Sequence, residues 1–354
     1  ALMLAALALW PNGLAHSAGK AAAIPRAALI PRLPAVVAPS NIAAGAIVRP
    51  PVAASAQLRA AGAGAGDKKA APIALAAAYD GQGKIEADYR APYVAGGSID
   101  LSEVATNDTR GFSSKRAAAK LRKHKKTIDE RQQLLYADHR RRMLIVFQAM
   151  DTGGKDGVIR GVMRSINPQG VNVNSFKQPT DQEKSHHFLW RIKQVLARLG
   201  LGRIQVFNRS HYEDILVPSV METLPSGEIE KRYETLNRFE KKLAEEGWVI
   251  LKFFLHISKA EQKRRLQDRL EKPQKQWKWS SSDLVMRKSW DRFMDAYGRI
   301  LARTSTSWAP WYIIPADHKW FRDYLVAKII KDSMKSLDLR YPPAPPNMPR
   351  RIPD

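Results

Sequence analysis

Five short apolar runs, set apart by longer amphipathic stretches, constrain this chain more than any other feature. They are Leu144 to Ala149, "VNVNSF" from Val171, "RIQVF" from Arg203, "WVILKFFLHI" from Trp248 and "WYIIP" from Trp311. Each has the length of a strand, and the stretches between them have helical length and pattern. Two of those stretches open with the capping boxes Thr180-x-x-Glu183 and Ser258-x-x-Glu261, which mark helix starts. A Lys/Arg-rich helix is predicted over roughly Ser113 to His139, leading into the first run. Strands alternating with helices give a parallel sheet covered on both faces. The expectation is an α/β domain from about Ala91 to Leu339 with five strands.

The two ends read differently. The first 66 residues are Ala- and Pro-rich and contain no Asp or Glu before Asp67. Residues 1–75 are therefore expected to be a disordered leader. Lys20, Arg26, Arg32, Arg49 and Arg59 in this acid-free stretch also match the charge pattern of an organellar targeting segment, although serine is sparse. The opening "ALMLAALALW" is too short to span a bilayer. Residues 340–354 are Pro-rich and expected to be extended.

A formal net charge of +24 implies a polyanionic partner: nucleic acid, an anionic membrane or a phosphate polymer. Charge alone does not choose among them. With no cysteine in the chain, disulfides, thiolate metal sites and cysteine nucleophiles are excluded.

The first run ends in "MDTGGKDG" and resumes as a predicted helix. Such a turn sits at the carboxyl edge of the sheet, where backbone N–H groups and a helix N-terminus face an anion. Gly153 and Gly154 permit close approach, Lys155 can reach phosphate oxygens, and Asp151 can hold a divalent cation. The match to the P-loop pattern is imperfect, because Ala149 stands at the first Gly and Asp156 at the Ser or Thr. A plain glycine turn with a solvated Lys is the competing reading. The third run ends in Asn208 and Arg209 at the same edge, where a second metal or phosphate ligand belongs in a nucleotide-handling fold. Loop capping by Asn208, and pairing of Arg209 with Glu213 or Asp214, are the structural alternatives. His186, His187 and His211 have no convincing metal-ligand spacing with nearby acids, and are read as solvated or hydrogen-bonded.

Taken in order, "LLYADHRRRMLIVFQAMDTGGKDGVIRGVM", "INPQGVNVNSFKQPT", "HHFLWR", "FNRSHYEDILV", "ILKFFLHISKAEQKRRLQDRL" and "RTSTSWAPWYIIPADHKWFR" resemble the type 2 polyphosphate kinase family. The resemblance is greatest to the subgroup acting on nucleoside mono- and diphosphates; the leader lies outside it. It implies a P-loop kinase-like three-layer α/β/α fold with a five-stranded parallel sheet and a helical lid at about 258–303. It also implies reversible phosphoryl transfer between inorganic polyphosphate and AMP or ADP, giving ATP, with Mg²⁺ as cofactor and guanine nucleotides as further candidates.

By that resemblance Asp151 matches the metal-binding Asp, Lys155 the Walker Lys and Arg209 the Arg after the third strand. Arg160, Arg164 and Arg191 fall where basic side chains surround the phosphates, with Gly153, Gly154, Asp156 and Asn208 completing the phosphate and nucleotide set. Arg265, Arg269 and Lys278 are assigned to a lid that closes over the polymer, for which a solvated basic helix is the alternative. Trp277, Trp279 and Trp290 are read as core packing rather than groove lining.

The chain departs from the family pattern at several points. Gly153 replaces a common Ala, which is expected to loosen the turn while keeping its N–H donors. His187 replaces an Asp before "FLWR", "ILVPSV" lacks an Arg, and Asn208 stands where many relatives have Asp. A homo-oligomer in the cytoplasm is implied, without nucleic acid or membrane as partner. Two other classes stay open from the residues alone: a P-loop nucleotide or sugar kinase using ATP, and a basic nucleic-acid-binding protein.

Overall fold

The computed structural model of the chain describes residues 88–349 and 351–352. The leader expected over residues 1–75 lies outside the described residues. All five predicted strands form: β1 (Arg142–Gln148), β2 (Val171–Ser175), β3 (Ile204–Asn208), β4 (Trp248–His256) and β5 (Trp311–Pro315). They make one sheet in the order β2-β3-β1-β4-β5, with every pairing parallel. The central strands are closed to solvent on both faces, which is why β4 reads as an uninterrupted apolar run around a single Lys252. β2 is an edge strand: Asn172, Val173 and Ser175 are exposed, while the Asn174 side chain accepts from buried Gln205 at 2.8 Å.

The main helices are α1 (Ser114–Asp138), α2 (Lys155–Met163), α3 (Asp181–Lys184), α4 (Trp190–Ala197), α5 (Glu213–Met221) and α6 (Ser226–Glu245). They continue as α7 (Lys259–Glu271), α8 (Pro273–Gln276), α9 (Ser282–Lys288), α10 (Trp290–Thr304) and α11 (Lys319–Ser336). α11 packs on α1, α2 and the β4–β5 edge, while α5, α6 and α10 pack together with α6 also against β4. The α/β/α layering follows from these contacts.

Both predicted caps form, but only one is a complete box. Thr180 and Glu183 exchange side-chain and backbone bonds in both directions. At Ser258 the side chain accepts from the Glu261 N–H, whereas the Ser258 N–H is taken by Asp317. Glu261 does not reach back because its carboxylate is committed to Arg264 and Arg265. Of the stretch expected as a lid, α10 buries Trp290, Phe293, Ala296, Tyr297, Ile300 and Leu301 and belongs to the core.

A buried polar knot lies behind β3 and β4. Lys252 donates to Glu240 at 2.5 Å, to the Tyr212 hydroxyl at 2.7 Å and to the Thr304 carbonyl at 2.8 Å. Glu240 also accepts from Tyr212 and meets His211 Nε2 at 3.2 Å. Burial pulls the Lys252 ammonium down to about 8, against the Glu240 charge that holds it up, so the pair is ionised at neutral pH.

Candidate active site

β1 and β3 are neighbours, yet the chain leaves β1 for β2 on one side and leaves β3 for β4 on the other. A crevice opens outside the carboxyl ends of such a pair. Asp151 and Lys155 follow β1, and Arg209 follows β3, so the topology alone brings them to one cleft.

The cleft has a volume of about 770 Å³ and is walled by the turn at 151–157 together with Arg160, Phe176, Lys177, Asn208, Arg209, Arg269, Trp277 and Lys278. The turn is sharp. Thr152 has φ 63° and Gly154 φ 100°, both in the left-handed region. A Cβ at Gly154 would also stand 2.1 Å from the Arg322 guanidinium, which would have to swing aside, so the left-handed backbone is the firmer reason for glycine there. Gly154 is the N-cap of α2, and the first intrahelical bond runs from Val158 N–H to the Gly154 carbonyl. The preceding N–H groups of the helix start have no intrahelical acceptor, as at the first turn of any helix, and lie at the cleft.

Gly153 behaves differently from expectation. Its N–H is used internally, donating to the Met150 carbonyl at 2.9 Å. A Cβ there would stand 2.4 Å from that of Ala149 and 2.8 Å from the Met150 oxygen. The residue tightens the turn rather than loosening it, and it is not a phosphate donor in this conformation.

Lys155 is buried, and its Nζ donates to the Ala149 carbonyl at 2.9 Å, folding the side chain back over the loop. Burial, helped by the nearby Arg209 charge, lowers its ammonium to about 8. Arg209 adopts φ 61° and donates to the Asp151 carboxylate at 2.9 Å, and the Glu213 charge also acts on it. Asp214 is instead the partner of Arg191, at 3.4 Å. Asn208 Nδ2 donates to Asp156 at 2.7 Å, and Lys278 stands 3.7 Å from the other oxygen of that carboxylate. Burial alone would raise Asp156, but the Asn208 hydrogen bond and the Lys278 charge hold it below the ordinary range.

The remaining candidates separate into three groups. Arg160, Arg269 and Lys278 line the cleft, Arg269 while paired with Asp283 at 2.7 Å. Arg164 is exposed one turn beyond Arg160 on α2. Arg191 is buried outside the cleft, donating to the Lys177 carbonyl at 2.9 Å and lying over the Phe176 ring, so it braces the loop after β2.

Arg265 is not a solvent-facing lid charge. Only 6% exposed, it pairs with Glu261 and donates to the carbonyls of Thr152, at 3.0 Å, and Ala316, at 2.6 Å. It ties the root of α7 to the phosphate turn, as does Gln262, which donates to the Asp151 carbonyl at 3.2 Å. Among the tryptophans, Trp290 is core as expected, but Trp277 is 77% exposed at the cleft rim. The histidines are engaged locally: His186 stacks on Trp190, and His187 Nδ1 accepts from the Leu189 N–H.

Lys177, Lys275, Lys319 and Arg322 also line the cleft and were not singled out in the sequence. Lys319 and Arg322 open the helix after β5, and their place at the carboxyl edge of a strand was the available signal. Against these cations the wall holds only Asp151, Asp156 and Asp268.

A parallel sheet in this order, a glycine turn with a buried Lys at its switch point and a cation-walled cleft define a P-loop kinase-like phosphoryl-transfer fold. The chain belongs to the polyphosphate kinase 2 family: the profile of Polyphosphate kinase 2 (PPK2) matches residues 111–342. An AMP/ADP-polyphosphate phosphotransferase of Meiothermus ruber is 45% identical over 248 residues, covering 70% of this chain and 92% of the relative. An ADP-polyphosphate phosphotransferase of Rhodopseudomonas palustris is 42% identical, covering 71% and 91% respectively. The crystal structure of Polyphosphate Kinase 2 from Arthrobacter aurescens TC1 superposes with a TM-score of 0.67 at 40% identity, over 71% of this chain and 90% of that one.

Proposed function

We propose that the chain transfers a phosphoryl group from inorganic polyphosphate to AMP or ADP, reversibly, at the cleft between β1 and β3. The observation that carries this reading is the cleft wall, where Lys and Arg side chains surround a phosphate turn and outnumber the acids throughout. Such a wall suits a donor made of phosphate alone, a dense polyanion with no base to recognise.

Phosphoryl transfer asks the protein for in-line positioning and charge stabilisation rather than a covalent nucleophile. In this reading the N–H groups at the start of α2 cradle a phosphate, and Lys155 exchanges its bond to Ala149 for a phosphate oxygen. Arg209, held by Asp151, faces the transferring group, and Asn208 and Asp156 fix the geometry between the two strand ends. Arg160, Arg164, Arg269 and Lys278 contact the polymer, while Arg265 and Arg191 position the turn and the loop after β2. Residues 91–339 are the catalytic domain, with a lid limited to α7 through α9.

The donor set fits Mg²⁺. Asp151 and Asp156 are carboxylates on the cleft wall, and among the described residues no group of three or more ligating side chains forms an all-protein cage. An ion that keeps water and phosphate oxygens in its shell needs one or two carboxylates from the protein. When bound, it would neutralise charge on the bridging phosphates.

Nucleotide substrates put catalysis in the cytoplasm in this proposal, with organelle delivery by the acid-free leader as the alternative that locating the tagged full chain would separate. Among the described residues no helix is long and apolar enough to cross a membrane. The activity is tested by incubating AMP or ADP with Mg²⁺ and long-chain polyphosphate, without ATP. Formation of ADP and ATP is expected. Turnover only with ATP as donor would reassign the chain to another kinase class.

A further inference from the structure

The basic helix α1 carries its charge the wrong way round for a helix. Lys115, Arg116, Lys120, Arg122, Lys123, Lys125 and Lys126 fill its N-terminal half without one acid, and Asp129, Glu130 and Asp138 lie in the C-terminal half. The macrodipole favours the reverse, by about 0.3–1 kcal/mol for each charge near a helix end. A local arrangement that opposes stability marks a functional surface.

This half of α1 lies beside the start of α11, which carries part of the cleft wall. α1 and α11 run side by side in the same direction: Phe112, just before α1, stacks on Tyr324, and the Arg340 N–H beyond α11 donates to Asp138 at the end of α1. The N-terminal ends of both helices therefore lie together, and that end of α11 bears the cleft residues Lys319 and Arg322. The next residue, Asp323, pairs with Arg322 at 2.7 Å. Its carboxylate lies 2.8 Å from where a Cβ on Gly161 would sit, between Arg160 and Arg164 on α2. Lys125 acts on that same carboxylate from α1.

Lys115, Arg122 and Lys126 share the outward stripe of α1, opposite the buried Ala117, Ile128 and Leu135 and roughly a quarter turn around the helix from Lys125, and all three are exposed. Among the described residues Lys115, Arg122 and Lys125 form no ion pair with a carboxylate, and Lys126 has only Glu130 at 4.0 Å.

Building on the proposed activity, we propose that the flank of α1 formed by Lys115, Arg122, Lys125 and Lys126 is an outer track that holds the part of a long polyphosphate chain emerging from the cleft past Arg160 and Arg164. A chain that fills only the cleft does not reach it. The track thus confers a preference for long chains without touching the reacting phosphates.

The test compares the full chain with its K115Q/R122Q/K126Q variant, using ADP and either long-chain polyphosphate or tetraphosphate as donor. Gln keeps the helix propensity of these exposed positions close to Lys and Arg, and circular dichroism checks the fold. The variant is expected to raise the KM for long chains about tenfold at low salt, with a salt dependence shallower by roughly two in log–log slope. The kcat, the KM for ADP and the KM for tetraphosphate should not move.

Equal KM changes for both donors, or none for either, would overturn the track while leaving the activity intact. If the wild type transfers from neither donor, the activity reading falls and the track with it. If the variant loses binding to single-stranded RNA or to anionic vesicles while its KM for long polyphosphate is unchanged, the flank serves another polyanion and the proposal is wrong.

Discussion

Replacing Lys155 by Ala is expected to leave a folded protein with turnover reduced about a hundredfold. One charge-stabilising contact to a transferring phosphoryl group is worth about 3 kcal/mol in such sites. Among the described residues its ammonium bonds the Ala149 carbonyl alone, an acceptor that water can satisfy at a loop that opens to a cleft. Thermal melting should therefore change little while kcat/KM for ADP and polyphosphate falls. The pH behaviour adds a second check on the same residue. With the ammonium drawn down to about 8 by burial in the free protein, a bound polyanion must raise it again. Binding at pH 8.5 should then take up protons, whereas at pH 6.5 Lys155 is already charged and uptake from it should vanish. Titration calorimetry in two buffers of different ionisation enthalpy measures this directly. A folded K155A variant with near-normal turnover, or the same proton uptake as wild type, would remove Lys155 from the reaction.

The second large effect is on stability. Lys252→Met is expected to destabilise the domain by about 3–5 kcal/mol, because Glu240 would keep its buried charge after losing its only ammonium partner. Lys252 and Glu240 are both fully buried, so solvent cannot screen the loss. The double change Lys252→Met with Glu240→Gln should recover most of that stability, since a neutral amide can still bond Tyr212 and His211. Urea unfolding of the single and double variants measures the difference. A single variant as stable as wild type would show that the knot is dispensable. The knot also holds the residues that follow Arg209, so a loose single variant should lose activity in proportion to its unfolded fraction.

The strands and their parallel arrangement were legible in the sequence because a sheet closed on both faces must be written in apolar runs. The turn itself was legible because a strand running into two glycines before a helix must bend sharply at the sheet edge, although a plain glycine turn would read the same way. What could not be read was which charges face inward. "KRRLQDR" has the alternating charge of a surface helix, yet Arg265 within it is buried against the turn while Arg264 beside it stays half exposed. Helical periodicity cannot reveal that carbonyls of Thr152 and Ala316, far away in sequence, wait on one face of α7. Lys319 and Arg322 were missed because their role depends on α11 docking beside α2. Trp277 was misread because aromatic residues usually pack, and nothing local told that α8 projects over the cleft. Gly153 was misjudged for want of the Ala149 methyl, whose closeness appears only once the turn is folded.

The bonds from Arg265 and Gln262 to the turn divide the α7–α9 region into a root and a tip. Up to about Glu271 the arm is riveted to the floor it would cover. Past Lys272 and Pro273, what remains is a short outrigger bearing Trp277 and Lys278, moored by the Arg269–Asp283 pair and by the longer span from Lys278 to Asp156. Reshaping the outrigger changes what the cleft admits, whereas editing the rivets deforms the floor itself. Redesign for a different acceptor therefore starts from the positions around Trp277, with Lys278, Asp283 and Arg287 kept, because they reach Asp156, Arg269 and the rivet residue Gln262.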